Sequence, residues 1–538
     1  MPSITRRAAL IVAASTTLAR PALTQADQRP SITIAVQKIS NSNTLETPRE
    51  QSNVGFRISG LYAEPLIDTD WVGDLRQVPG LATAWRRVDA RTVEFDLREG
   101  VRFHDGSLLT AEDVVFSFGE RLFGTSAAAA APGRSSLLAG TTGKEPPSEV
   151  LAVARRSFPG FERIEVMGPH TLRYVSAEPD VTLEGRIAQN IAVILSSRAF
   201  AAAESWLAWA RRPVGTGPYR VAEFRPDVSL TFEAHDEYWG GRPPLRRIRF
   251  VEVPEVSSRV NGLFSGEYDF ACDIPPDQIP TVERNARFEV LGSPINNIRI
   301  MAMDKTHPVL ANPLVRRAIT HAVDRRVIMD TLWAGRTQIP RGLQLENYGG
   351  MSLSDWENPR FDPAEARRLL REAGYRGQPI PYRLLNDYYV NQRNNAQIVV
   401  EMWRTVGLNV QIEMRENFSQ VTERTPGRAI RDWSNTSLFG DPVAGLLRSL
   451  GANTEAERNG EWANEEFNRV SAALIASTDM ERRPALFRRL LEIVEREDPG
   501  YLVLHQAASF TAKRRDIGWR ASKGWAMDFR AGNLRVGT

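Results

Sequence analysis

The sequence predicts a chain of mixed helices and strands, α/β or α+β, with several sheets. Three observations predict it. Alternating β-branched runs and segments of helical periodicity follow one another along the whole chain. The composition, 42% hydrophobic and 25% charged over 538 residues, is that of a globular chain with apolar content for about two to four domains or subdomains. No run of eighteen apolar residues occurs, so no segment has the length of a spanning helix.

The elements read in order as follows. Ser31–Val36 alternates and is β-branched, which predicts a first strand. Thr92–Leu97 alternates clearly, and Val101–Phe103 follows after Glu99-Gly100, so the pair reads as a hairpin. Thr110 is a good N-cap and Asp113 stands at the capping-box position, which starts a helix. Residues 124–149 are rich in Ala, Gly, Ser, Thr and Pro and read as a loop. Val228–Phe232 and Leu245–Val253 read as strands. Helical spacing runs from Pro313 to Leu332, from Asp362-Pro363 to near Gly374, from Asn395 to Val406 and from Arg482 to Arg496. Leu408–Ile412 reads as a strand.

The N-terminus has the order of an export signal. Arg6-Arg7 open it, an apolar run covers Ala8 to Ala19, and Thr24-Gln25-Ala26 offers small residues at −3 and −1. The adjacent arginines point to the twin-arginine route, with a Sec signal that carries two arginines as the alternative. No cysteine follows the apolar run, so a lipid anchor at the processed end is excluded. Residues 1–26 hold three of the 68 basic residues and none of the 65 acidic ones. The remainder is formally neutral, which argues against a nucleic-acid binder. The one cysteine, Cys272, makes neither an internal disulfide nor a cysteine zinc site.

Catalytic signatures are missing. There is no G-x-S-x-G elbow, no H-E-x-x-H and no G-x-G-x-x-G after a strand. The six histidines are scattered without ligand spacing. Expected from this are no catalytic residues, no metal and no cofactor.

Several segments in fixed order resemble the family 5 extracellular solute-binding proteins. They are Pro79–Trp85, Thr92–Gly106 and Leu109–Ser117, then Pro213–Arg220, Glu237–Trp239 and Ser265–Asp269, then Asn312–Ile319 with Ala322–Asp324, and Phe361–Ala366. The series covers nearly the whole chain after residue 26. Its residues are mostly scaffold: Gly215 and Gly217 allow tight turns and Tyr219 supplies a large buried face.

The resemblance implies a two-lobed periplasmic binding protein with a ligand cleft between the lobes. Lobe I is expected over 27–290, with an inserted subdomain at about 70–205. Lobe II is expected over 291–507, and residues 508–538 return to lobe I. The crossings fall near Gly292-Ser-Pro294 and His505. The implied protein is not an enzyme. It is a soluble, monomeric periplasmic receptor of an ABC importer, closing on a peptide or peptide-like solute and delivering it to an inner-membrane permease. Other readings are an opine, an oligosaccharide or a chelated metal as ligand, a sensory or chaperone-like use of the fold, or a secreted hydrolase.

In peptide-binding relatives an aspartate pairs with the peptide amine three residues before the acid of a D-P or E-P step. Here that step is Asp441-Pro442, and counting back lands on Leu438. An apolar side chain offers nothing to an ammonium group. Candidate ligand contacts are Ser40, Asn41 and Asn43 after the first strand, Asp387, Tyr388, Tyr389 and Arg393 before a helix, and Trp433, Leu438, Phe439 and Asp441.

Overall fold

A computed structural model describes residues 27–129, 144–386 and 388–536. Residues 1–26, read above as an export signal, and Asp387 lie outside the described residues.

Ten strands form one mixed sheet that runs through the whole molecule. From one edge their order is Tyr219–Arg225, Ser229–Ala234, Arg247–Glu252, Ser31–Val36, Phe270–Ala271, Tyr501–Arg514, Phe288–Met303, Ile430–Thr436, Ile380–Leu385 and Val410–Arg415. The middle pair is unusually long, 16 residues in Phe288–Met303 and 14 in Tyr501–Arg514. At about 3.4 Å per residue such strands span roughly 50 Å, enough to belong to two lobes at once. They pair antiparallel from Phe288↔Arg514 to Ala302↔Tyr501, and the register slips between Pro294 and Ile298. Pro294 has no N–H to give the ladder, so the pairing loosens there. At Gly292 the φ is +152° and a Cβ would sit 1.9 Å from the Ser509 carbonyl oxygen, so the two backbones approach as only glycine permits.

The cores follow from side-chain alternation. Ile298, Ile300 and Ala302 enter one cluster with Trp356, Trp462 and Phe487. Met301 and Met303 face the other side of the sheet, with Trp403, Tyr382 and Leu502. A separate core gathers Ile34, Phe95, Tyr174, Phe232 and Phe250, and the tail adds Ile517, Trp519, Met527 and Phe529 to it. Val260, Leu263, Ile279, Val282 and Phe288 pack with the C-terminal core although they precede Gly292. The cause is topological. Phe270–Ala271 pairs with Tyr501–Arg514, so the helices beside it lie under the two long strands.

A smaller four-stranded sheet, Ala82–Arg87, Thr92–Leu97, Thr171–Ser176 and Phe161–Val166 in the order 1-2-3-4 just given, forms the inserted unit of the first lobe.

Most predicted elements are present, and three readings need correction. Thr92–Leu97 pairs with Ala82–Arg87 and Thr171–Ser176. Val101–Phe103 is no hairpin partner: it retains only an Arg102–Leu108 bridge, because the Gly100 turn (φ 73°) leads the chain away. Of the segment read as a loop, residues 130–143 lie outside the described residues and 144–147 are irregular, but its first part is helical to Ala129, after a break at Gly124, and another helix begins at Ser148. Alanine-rich sequence favours helix more than its small residues suggested. The helix from Pro313 ends at His321, and Asp324 caps a new one, accepting from the Arg326 N–H at 2.9 Å. Thr110 and Asp113 do make the capping box, with the Thr110 N–H donating to Asp113 at 3.0 Å.

Candidate functional site

A cavity of about 440 Å³ opens between the two lobes. One wall is the loop from Asn41 to Asn53, with Glu149, Val153 and Arg156 from the inserted unit. The other is Tyr388, Tyr389, Phe418, the strand residues Arg431, Trp433, Ser434 and Thr436, and Arg448, Glu455 and Tyr501.

The first wall is braced from within. The buried Glu50 carboxylate accepts from the Ser40 hydroxyl at 2.6 Å, the Ser42 N–H at 2.7 Å and the Asn41 N–H at 3.2 Å. Burial raises the Glu50 pKa, and these donors oppose the rise. Ser40 is thus consumed in shaping the loop, at 3% exposure. Ser52 caps the helix Asn53–Tyr62 by accepting from the Gly55 N–H at 3.2 Å. Asn43 is exposed with φ 56°, and its carbonyl accepts from Arg211 at 3.3 Å.

The second wall is aromatic. Tyr388 meets Tyr389 edge-on at 4.9 Å and Phe418 at 4.6 Å, and Phe418 meets Trp433 at 5.4 Å. Two arginines stiffen it from behind. Arg299 lies 3.4 Å from the Tyr389 ring centre and pairs with buried Asp432 at 2.6 Å, while Gln392 also donates to Asp432 at 2.6 Å. Arg431 lies 4.3 Å from the Trp433 ring and is bidentate to Glu461 at 2.5 and 2.9 Å. Such cation–π contacts, desolvated, fix ring orientation.

The walls touch. Asn41 donates to the Tyr388 hydroxyl at 3.1 Å, and that hydroxyl donates to Asn53. The structure therefore represents a closed arrangement.

The sequence candidates divide. Asn41, Tyr388, Tyr389 and Trp433 line the cavity. Leu438 instead lines a second, apolar cavity of about 80 Å³, with Phe56, Trp71, Trp525 and Met527; Thr436 borders both. Phe439 rests against Gly185 of the opposite lobe. Asp441 lines neither cavity. It caps a short turn by accepting from the Val443 N–H at 3.0 Å and pairs with fully buried Arg483 at 2.6 Å. Arg393 is exposed in the first turn of the helix Gln392–Thr405 and lines neither cavity. Ser40 and Asn43 are likewise outside the lining.

Sequence reasoning missed Arg49, Arg156, Phe418, Arg431, Arg448, Glu455 and Tyr501. Nothing local marks them. In a chain so rich in arginine, only the tertiary arrangement selects those that face the cavity.

Among the described residues no three His, Cys, Asp or Glu side chains come together as a metal site. No described helix is long and apolar enough to cross a membrane.

Comparison with known proteins gives a consistent result. Residues 76–455 match the family described as bacterial extracellular solute-binding proteins, family 5 middle. The chain is 24% identical to the dipeptide-binding protein of Escherichia coli K12 over 480 residues, covering 85% of each chain. It is also 24% identical to heme-binding protein A of Haemophilus influenzae over 465 residues, 79% of this chain and 78% of that one. The fold is shared with a dipeptide-binding protein from Pseudoalteromonas sp. SM9913, solved with Met-Leu, at a TM-score of 0.81. Identity there is 22%, over 94% of this chain and all of the other.

Proposed function

Because the chain belongs to the bacterial extracellular solute-binding proteins of family 5, we propose that it is the exported, periplasmic receptor of an ABC importer. It captures a solute of peptide-like size in the cavity between its lobes and delivers it to an inner-membrane permease. The observation that carries this reading is the bridge from Tyr388 of one lobe to Asn41 and Asn53 of the other, across a cavity walled by rings and polar side chains. Burial between converging apolar faces with a few placed polar groups suits capture of a small molecule.

The moving bodies are residues 27–255 with the tail from 517, and residues from about 295 to 500. Residues 256–290 ride beneath the two long strands. The slip in register at Pro294–Ile298 supplies the hinge, since few ladder bonds resist bending there. The cycle of capture and release involves no covalent step, and the working unit is a monomer. Relatives bearing this fold are described as binding dipeptides or heme, so the family tolerates chemically unlike solutes and the cavity itself sets the ligand.

Two experiments test the reading. Small molecules released by denaturing protein purified from its own periplasm are identified by mass spectrometry, and their return to refolded protein is followed by X-ray scattering. A bound molecule that compacts the protein is expected. Absence of any released molecule and of any compaction would refute the reading. For export, replacing Arg6-Arg7 with Lys-Lys blocks periplasmic accumulation if the twin-arginine route is used, and the exported chain begins near Asp27. Unchanged accumulation would show the Sec route.

A further inference from the structure

Six charged side chains line the larger cavity: Arg49, Glu149, Arg156, Arg431, Arg448 and Glu455. Two of the four guanidiniums are already matched. Arg49 pairs with Glu149 at 3.1 Å, and Arg431 pairs with Glu461. Arg156 and Arg448 differ. Neither has a carboxylate partner among the described residues, and the Nε–H of each is shut off from solvent with no acceptor. Buried donors of this kind are nearly always hydrogen-bonded, because losing water without replacement is costly.

The two arginines come from opposite lobes. Arg156 stands in the last turn of the helix Ser148–Ser157, and Arg448 in the short helix Leu446–Ser449. Burial, and then the charge of Arg156, push Arg448 down to about 10. Burial also lowers Arg156, against the pull of Glu455 and with added repulsion from Arg458. Glu455 is exposed. Glu455 acts on Arg156 from the exposed rim and no carboxylate among the described residues acts on Arg448, so positive charge is left over inside the closed site.

Taking this cavity as the solute site, we propose that Arg156 and Arg448 form a two-lobed clamp for an anionic group, a carboxylate on the solute. A carboxylate has two oxygens and can accept from one guanidinium on each side. Closure without it drives two like charges together in a poorly screened space. Closure with it turns the repulsion into two attractions. The anion is therefore a latch as well as a ligand group. The rest of the solute meets the rings of Tyr388, Tyr389, Phe418 and Trp433, which suits an uncharged or aromatic body. No cavity carboxylate is left free in the interior for an ammonium group: Glu149 is held by Arg49, and Glu455 is exposed at the rim.

The probes are N-acetyl-Ala-Ala and succinate, each against its amide, titrated calorimetrically with scattering to follow closure. The acids are expected to bind and compact the protein, and the amides to bind far less well. Arg156→Gln and Arg448→Gln should each weaken acid binding by roughly ten- to a hundred-fold. Melting temperatures near wild type confirm that both variants are folded, and Arg448→Lys should recover part of the loss. Equal binding of acids and amides, acid binding indifferent to both substitutions, or no acid binding at all would overturn the clamp. The parent reading fails separately. A neutral or cationic molecule released from the native protein overturns the clamp and leaves the receptor standing, whereas no released molecule and no closure with any probe removes both.

Discussion

Gly185 offers a test of closure that does not touch the ligand. It lies in the short helix Leu183–Ile187 of the inserted unit, whose Leu183 and Ile187 belong to the core of Ile34, Phe95 and Phe232. Phe439, packed on the cluster of Trp356, Trp462 and Phe487, comes from the other lobe. A Cβ on Gly185 would stand 2.7 Å from two ring carbons of Phe439 and 3.2 Å from its Cβ. Those atoms belong to a ring held at its root, so the closed form must shift. Overpacking of this kind costs about 1–3 kcal/mol. The open form has no Phe439 in that place. There alanine gains about 0.5–1 kcal/mol over glycine in a helix. That helix gain is common to both states and cancels, so the difference between them is the clash alone, roughly 1–3 kcal/mol against closure, a loss of about fivefold to a hundred-fold in affinity. Gly185→Ala should therefore bind the molecule recovered from native protein more weakly, while its ligand-free melting temperature stays level or rises. Calorimetric titration and a thermal melt on the same sample read both. Unchanged affinity would show that Phe439 yields freely and that this contact does not form on closure. A lowered melting temperature would show that the clash is present in the ligand-free state as well.

Three further expectations follow from other parts of the molecule. Because the larger cavity holds no free interior carboxylate for an ammonium group and Leu438 lies outside it, free di- and tripeptides should bind poorly, by a factor of hundreds or more for one missing buried charge pair; submicromolar binding of Ala-Ala to the wild type would contradict this. Asp441→Ala strands the guanidinium of Arg483, whose side chain is 0% exposed, and should cost about 3–5 kcal/mol in urea denaturation; an unchanged unfolding midpoint with lost ligand binding would instead make Asp441 a ligand contact. Burial, and secondarily the charge of Arg299, push His505 down to about 3 against the hydrogen bond to the Gln506 carbonyl. The unfolded chain takes up a proton below about pH 6.5 that the native state refuses, so stability falls as pH drops, by about 2 kcal/mol at pH 5 from this residue. His505→Gln should remove that part of the acid slope, and a slope equal to wild type would show that His505 is not its source.

What could be read from the residues differs between scaffold and site for a physical reason. Capping, alternation and helix periodicity are local, and Thr110 with Asp113, Asp362 with Pro363, and the run Ser31–Val36 behave as their neighbours dictate. The family resemblance rests on the same kind of residue, turns and buried faces that any member of the fold needs. It located the two-lobed frame without naming a ligand. Among the candidate contacts, Tyr388 and Tyr389 reach the cavity from the loop after the strand Ile380–Leu385, and Trp433 from the middle of the strand Ile430–Thr436. Asp441 looked similar in sequence, but its carboxylate is spent on a turn and on Arg483, a partner 42 residues away.

The sequence by itself determined the mixed class, several strands and helix starts and the order of segments that marks the family, because each depends on residues within a turn or a strand of one another. The tertiary structure alone decided the rest. It placed residues 260–288 with the C-terminal core through one short strand pairing, and it sent Leu438 to a separate apolar cavity. It also brought Arg156 and Arg448, nearly three hundred positions apart, to face one cavity with neither neutralised. Charge pairing across lobes is a property of distance in space, and no spacing along the chain encodes it.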